Sequence, residues 1–306
     1  MPIECRCEAE PSMAKADASE PAAEAAMMRR WARHWLRSCR QMPVRALAVL
    51  DRGAPSLEKR VHEFRRLMKA WRALLRLAPA RLAEGAGEVR ADIGRLRRAF
   101  GAARDATVIA AALKRVGFER IPPAEEAAVE AGKLLREQGD AVRAELRRLS
   151  AAMEQWSVAG ETGDFLVLAY RRSYRRARRG ARRDPRRMGL KRLHRWRSAV
   201  VDLGYQCGFF QSSGSARLRK QAEAAERLRT HLGHVFDLDL ARNYLAGAPA
   251  GEDDARVLHR IEREIGKRRQ KAARLADRLL DRRPRSAGAH LRTAMECNPP
   301  PRTRLA

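Results

Sequence analysis

A pattern that returns at a fixed offset of 132 residues constrains this 306-residue chain more than any other feature. Val61-His62-Glu63-Phe64-Arg65 recurs as Leu193-His194-Arg195-Trp196-Arg197, and Phe100-Gly101 with Asp105 recurs as Leu232-Gly233 with Asp237. Two matches in one register point to two copies of one structural unit, each presenting a His and an Arg one helical turn apart. If the first unit starts near Met27, the second should start near position 159. The glycine-rich break Ala159-Gly160-Glu161-Thr162-Gly163-Asp164 lies there. The expected organisation is a helical bundle over 27–160, a second over 161–292, and disordered tails at 1–26 and 293–306.

Apolar residues recur at spacings of three and four throughout, and no period-two alternation lasts long enough to build a sheet, so the expected class is all-α. Helices are expected near 27–51, 57–78, 88–100, 105–116, 123–156, 164–181, 187–210, 215–232, 237–246 and 252–283. Gly101 and Gly233 read as helix C-caps, and Asp105 and Asp237 as N-caps of the helices that follow.

Charge sets the class of partner. The chain holds 65 basic against 37 acidic residues, and six acids fall within its first 28 positions, so the folded part is more basic than the net +28. Such an excess repels itself unless a polyanion relieves it, which points to nucleic acid, polyphosphate or an anionic membrane. Only 9 of the basic residues are lysines; the arginine fork suits phosphate, although a GC-rich genome gives the same bias. Five cysteines without paired spacing fit a reducing cytoplasm and no disulfide framework. No apolar run approaches the ~20 residues of a membrane span, and the acidic N-terminus does not read as a signal peptide, so a soluble, non-exported protein is expected.

The helix of the first motif carries two stripes. Val61, Phe64, Met68, Trp71 and Leu75 form an apolar one, while His62, Arg65, Lys69, Arg72 and Arg76 follow the same spacing one residue later. A face built only for solubility mixes signs, whereas this one lacks acids at the positions that would pair along it. Arg66 adjoins the stripe. In the second motif helix Lys191, His194 and Arg197 continue the pattern, but Val201 and Gly204 then end it. Residues 170–197 compensate with 13 arginines and one lysine against the single acid Asp184, and Arg171, Arg175, Arg178 and Arg182, with Arg179 beside them, fall along one helical face.

These residues resemble the CHAD domain, the conserved histidine α-helical domain. The likeness rests on the helix reading apolar-His-x-x-Arg and on the later turn Phe100-Gly101-Ala102-Ala103-Arg104-Asp105, both duplicated, and it spans nearly all of the expected folded chain. The resemblance implies two four-helix bundles related by a pseudo-twofold axis around a basic groove or pore, binding of inorganic polyphosphate, and association with polyphosphate granules. It implies His62, Arg65, Lys69, Arg72, Arg104, His194 and Arg197 as ligand residues. The sequence departs from the family pattern at Ala70, Val201, Asp202, Gly204 and Phe236, so the two halves are expected to contribute unequally.

Two other classes compete with this expectation. Nucleic-acid binding favours aromatic platforms, because stacking contributes roughly 1–3 kcal/mol per base. Tyr170 and Tyr174, inside the arginine-rich segment, are the best candidates. An enzyme would need a reacting group, and the nearest match to a triphosphate-processing Glu-x-Glu-x-Lys motif, Glu262-Arg263-Glu264-Ile265-Gly266-Lys267, is one residue too long and lies in a helix. His231-x-x-His234-x-x-Asp237 has metal-like spacing but falls where Gly233 is expected to end a helix. The expectation is therefore a non-catalytic cytoplasmic polyphosphate binder without cofactor or metal, associated with granules and polyphosphate-metabolising enzymes, with nucleic acid as a weaker competitor and no membrane contact.

Overall fold

The computed structural model describes residues 20–52, 57–99, 102–118, 124–247 and 254–301. Among them every regular element is helical: α1 Glu20–Asp51, α2 Leu57–Leu75, α3 Ala83–Ala99, α4 Ala102–Arg115, α5 Ala124–Glu154, α6 Asp164–Ala181, α7 Leu190–Phe210, α8 Ala216–Gly247, α9 Asp254–Leu279 and α10 Pro284–Cys297. The all-α class is thus as expected. The two motif helices begin at Leu57 and Leu190, and the helical segments after them end at Arg115 and Gly247, spacings close to the sequence offset.

Three expectations need correction. Helix α8 runs unbroken from Ala216 to Gly247, so Gly233 is not a C-cap and Asp237 is not an N-cap. Gly233 is buried, and a Cβ there would approach the Arg197 guanidinium at 3.4 Å, so packing rather than a turn explains this glycine. Its counterpart Gly101 lies outside the described residues. Helix α1 begins at Glu20, inside the segment expected to be a disordered tail, and α10 extends to Cys297, past the expected end of the second bundle. Proline at the first position of α10 fixes the backbone angle a helix start needs.

One apolar core runs through both halves, joining Trp31 and Trp35 of α1, Phe64, Met68 and Trp71 of α2, Tyr170 and Tyr174 of α6, and Leu193, Trp196 and Phe210 of α7. A smaller cluster holds Leu113 of α4, Leu238 and Leu245 of α8, and Val257 and Ile261 of α9. Indole and amide groups pin the helices to each other. Trp35 Nε1 donates to Leu74 O at 2.9 Å, and Gln206 Nε2 of α7 donates to Ala73 O at 2.9 Å. Both carbonyls belong to the last turn of α2, where a helix has no internal donors left. Trp31 Nε1 donates to Met295 O at 3.1 Å and Asn298 O at 3.0 Å, which fastens α1 to α10. Arg40 donates to the carbonyls of Met153, Glu154 and Trp156 and so closes the end of α5.

The second motif helix is held against α6 at close range. Trp196 Nε1 donates to Ala177 O at 3.0 Å, which lays the indole over Gly180, where a Cβ would overlap the ring. Gly180→Ala should therefore destabilise the protein by about 1–3 kcal/mol through overpacking, despite the better helix propensity of alanine. Gly87→Ala in α3, where no atom lies within 4 Å, should instead stabilise by about 0.5–1 kcal/mol. Urea unfolding of both variants checks the pair.

Candidate functional site

Packing of α2 on α7 decides which of the expected residues meet. Their apolar stripes enter the core: Phe64, Met68 and Trp71 are fully buried, as are Leu193, Val200 and Leu203. The basic stripe offset by one residue then stands at the edge of that contact. His62 and Arg66 are exposed, and Arg65, Lys69, Arg72 and Arg76 are half-buried.

Around the second motif the two halves meet directly. His194 of α7 stands edge-on to Phe236 of α8, with ring centroids 5.3 Å apart, and Arg197 lies 6.0 Å from the same ring. Arg97 of α3 completes the group: Arg65 Nη1 donates to its carbonyl at 2.9 Å, and its charge acts on His194. Burial lowers the His194 pKa from 6.5, and Arg197 and Arg97 lower it further. The imidazole is thus mostly neutral at neutral pH. Phe236, read in the sequence only as a departure from Arg104 of the first half, is the platform for both motif residues.

A second cluster gathers at the other end of α2. Asp202 of α7 is buried, and its Oδ2 lies 2.6 Å from Arg76 Nε and 3.0 Å from Arg176 Nη2 of α6. Arg72 of α2 and Arg90 of α3 also act on this carboxylate. Burial depresses the guanidinium pKa values of Arg72, Arg176 and Arg90, that of Arg90 to about 10, where Arg76 and Arg72 add repulsion. Tyr205 marks a third contact, where Arg66 of α2 and Arg229 of α8 face the phenol, and Arg229 is paired with Glu226.

The arginine-rich helix α6 divides its charges. Arg175, Arg179 and Arg172 are exposed, and so is Lys191 at the start of α7. Arg178 Nε donates to Leu280 O at 3.0 Å, just past the end of α9, so it is tied up in structure. Arg171 packs against Gly288 of α10 and shares a groove with Arg285 and Arg292. Both therefore make structural contacts that Arg175 and Arg179 do not. Arg104 has no described side chain. Tyr170 and Tyr174 are fully buried, which removes them as stacking platforms; the Tyr170 hydroxyl donates to Gln221 Oε1 at 3.2 Å. Sequence reasoning missed Arg90, Arg97, Arg176 and Arg229. Arg90 and Arg97 could have been found, since seven residues on one helix return to the same face.

The departures from the family pattern have packing causes. Val201 and Asp202 are buried in α7. A Cβ at Gly204 would meet Ala225 Cβ at 3.1 Å, so α8 passes too close for a basic side chain. His231 and His234 sit on one unbroken helix beside Arg268, their pKa values lowered by burial, that of His234 to about 4. Among the described residues no three or more His, Cys, Asp or Glu side chains come together as a metal group.

Helices that bring histidine and arginine side chains of both motif helices to one contact are the frame in which the family comparison falls. The CHAD domain family model matches residues 41–246, two thirds of the chain, and the chain belongs to that family. The match covers both motif helices and leaves α9, α10 and most of α1 outside it. Neither the curated proteins nor the solved structures give a match.

Desolvation by the Phe236 ring predicts a measurable consequence. Phe236→Ala should move the His194 titration upward, toward 6.5, and Arg97→Ala should do the same by removing repulsion. An NMR titration of the imidazole carbons reads both, and an unmoved His194 in both variants would refute the assigned causes.

Proposed function

We propose that this protein binds inorganic polyphosphate without catalysing its turnover. The observation that carries this reading is the meeting of Arg65 and Arg97 from the first half with His194 and Arg197 from the second on one basic face. Membership of the CHAD family is consistent with a polyphosphate-related function. A flexible chain of phosphates needs many donors over a continuous surface and no base-reading groups. Burial of the aromatic residues supports the preference: Tyr244, at 39% exposure, is the one aromatic among the large hydrophobic side chains exposed in the described residues. Nucleic acid is then a competitor held by charge alone. No helix among the described residues is long and apolar enough to cross a membrane. In this reading the protein works in the cytoplasm on polyphosphate granules, alongside polyphosphate-metabolising enzymes.

Long-chain polyphosphate should outcompete duplex DNA and a mixed-sequence oligonucleotide at matched charge. Its affinity should fall steeply with salt, by about 10³-fold between roughly 50 and 200 mM if about six phosphates are engaged. Fluorescence anisotropy at several salt concentrations tests both, and equal or tighter oligonucleotide binding would favour the nucleic-acid alternative.

The halves should contribute unequally. The first pair is an arginine and a lysine, whereas burial and nearby arginines keep His194 mostly neutral beside Arg197. A charge-assisted hydrogen bond contributes roughly 1.5–3 kcal/mol, so Arg65→Ala with Lys69→Ala should weaken polyphosphate binding more than His194→Ala with Arg197→Ala at pH 7.5. As pH falls below the depressed His194 pKa, the imidazolium gains its own attraction for phosphate, and the gap should narrow. Dissociation constants at two pH values, with circular dichroism to confirm folding, decide it.

A further inference from the structure

The cluster around Asp202 has a chemistry that a plain cationic surface lacks. Four guanidinium groups face one buried carboxylate: Arg72 and Arg76 at the end of α2, Arg90 from α3, and Arg176 from α6. The charges do not balance. The Nε atoms of Arg72 and Arg90 are buried without a hydrogen-bond partner, so the cluster retains donor capacity that the carboxylate does not fill. Partly desolvated cations without full compensation are costly, and an added anion would offset that cost. The cluster is still reachable, because the Arg76 and Arg176 side chains keep 27% and 41% of their exposure.

Asp202 restricts which anion fits. A fully ionised anion placed among these arginines meets the carboxylate as a like charge. A phosphate that keeps one proton can donate that P–OH to the carboxylate and accept from the guanidinium groups through its other oxygens. Terminal phosphates keep such a proton near pH 6, since the second ionisation of a phosphate monoester lies at about 6. Phosphates inside a chain, cyclic phosphates and sulfate have none to give. We propose that Arg72, Arg76, Arg90 and Arg176, arranged around Asp202, form a subsite for a terminal phosphate group, with Asp202 selecting the protonated end over internal phosphates. The pKa of Asp202 is raised, because burial outweighs the attraction of all four arginines, and this favours sharing a proton with a ligand. The subsite deepens the polyphosphate reading and rests on it only for the source of the phosphate end.

Titration calorimetry of the full chain at pH 6 tests this with three probes: pyrophosphate, trimetaphosphate and sulfate. Trimetaphosphate is a ring, ionised at every phosphate and without a P–OH. A surface acting through charge alone would bind it at least as tightly as pyrophosphate. The expected result is a preference for pyrophosphate of at least about tenfold, because a site built to accept a hydrogen bond rejects ligands that cannot donate it. Asp202→Asn should narrow that preference, since the amide can itself donate to an ionised oxygen. Arg90→Gln should weaken pyrophosphate binding severalfold. Equal or tighter binding of trimetaphosphate by the native protein overturns the proposal, as does an unchanged preference in a folded Asp202→Asn protein. Should that variant fail to fold, Arg90→Gln decides: unaltered pyrophosphate affinity overturns the subsite. A separate titration with long-chain polyphosphate keeps the two readings apart. Absent long-chain binding with an intact pyrophosphate preference rejects the function and keeps the subsite, and the reverse outcome rejects the subsite alone.

Discussion

Packing of α2 against α7 is the contact on which the rest of this structure depends. Each helix carries an apolar stripe and a cationic stripe one residue out of step. Burying the first fixes the rotation of the helix, and that rotation leaves the second at the margin of the interface. Gln206 of α7 fixes the axial position as well, by donating to the Ala73 carbonyl in the last turn of α2. The hydrophobic effect thus places the cations, although no cation gains from approaching another.

Repulsion among those cations is handled by backbone oxygens as much as by carboxylates. Arg40 caps α5, Arg178 sits beyond the end of α9, Arg60 donates to the carbonyls of Leu50 and Arg52, and Arg269 to those of Arg186 and Met188. Helix C-termini carry partial negative charge and unfilled acceptors, so they serve as fixed counter-charges. This divides the arginines into two populations that composition alone cannot separate. Those near helix ends hold the fold together, and those on the α2, α3, α6 and α7 faces gather along the contact of the two motif helices.

That division sets how far the sequence could be read. Helical class, the extents of α6 and α7, and the cationic stripe of α2 follow from short-range periodicity, which is local and was legible. The continuity of α8 was not, because glycine at 233 reads as a cap when its neighbours in space are unknown; its lack of a side chain serves the Arg197 guanidinium instead. Arg171 and Arg178 share a helical face with Arg175, yet only the last remains exposed. What decides between them is α10 and the end of α9, elements distant in sequence. Tyr170 and Tyr174 failed as surface candidates for the same reason.

Asp202 shows most clearly why spatial context outranks pattern. As a letter in the second motif helix it is an acid standing where a base was expected, and it lowers the charge of that half. In the fold it lies between Arg76 and Arg176 and draws in arginines from both halves, so one carboxylate organises four cations. Replacing it with a base would add charge to a cluster already short of compensation, and burial would raise the cost of each unit. A single buried acid among arginines therefore makes a more ordered cluster than a further arginine could. The asymmetry between the halves is then a difference in kind: the first half supplies the cationic stripe and three of the four arginines, and the second supplies the carboxylate and the fourth.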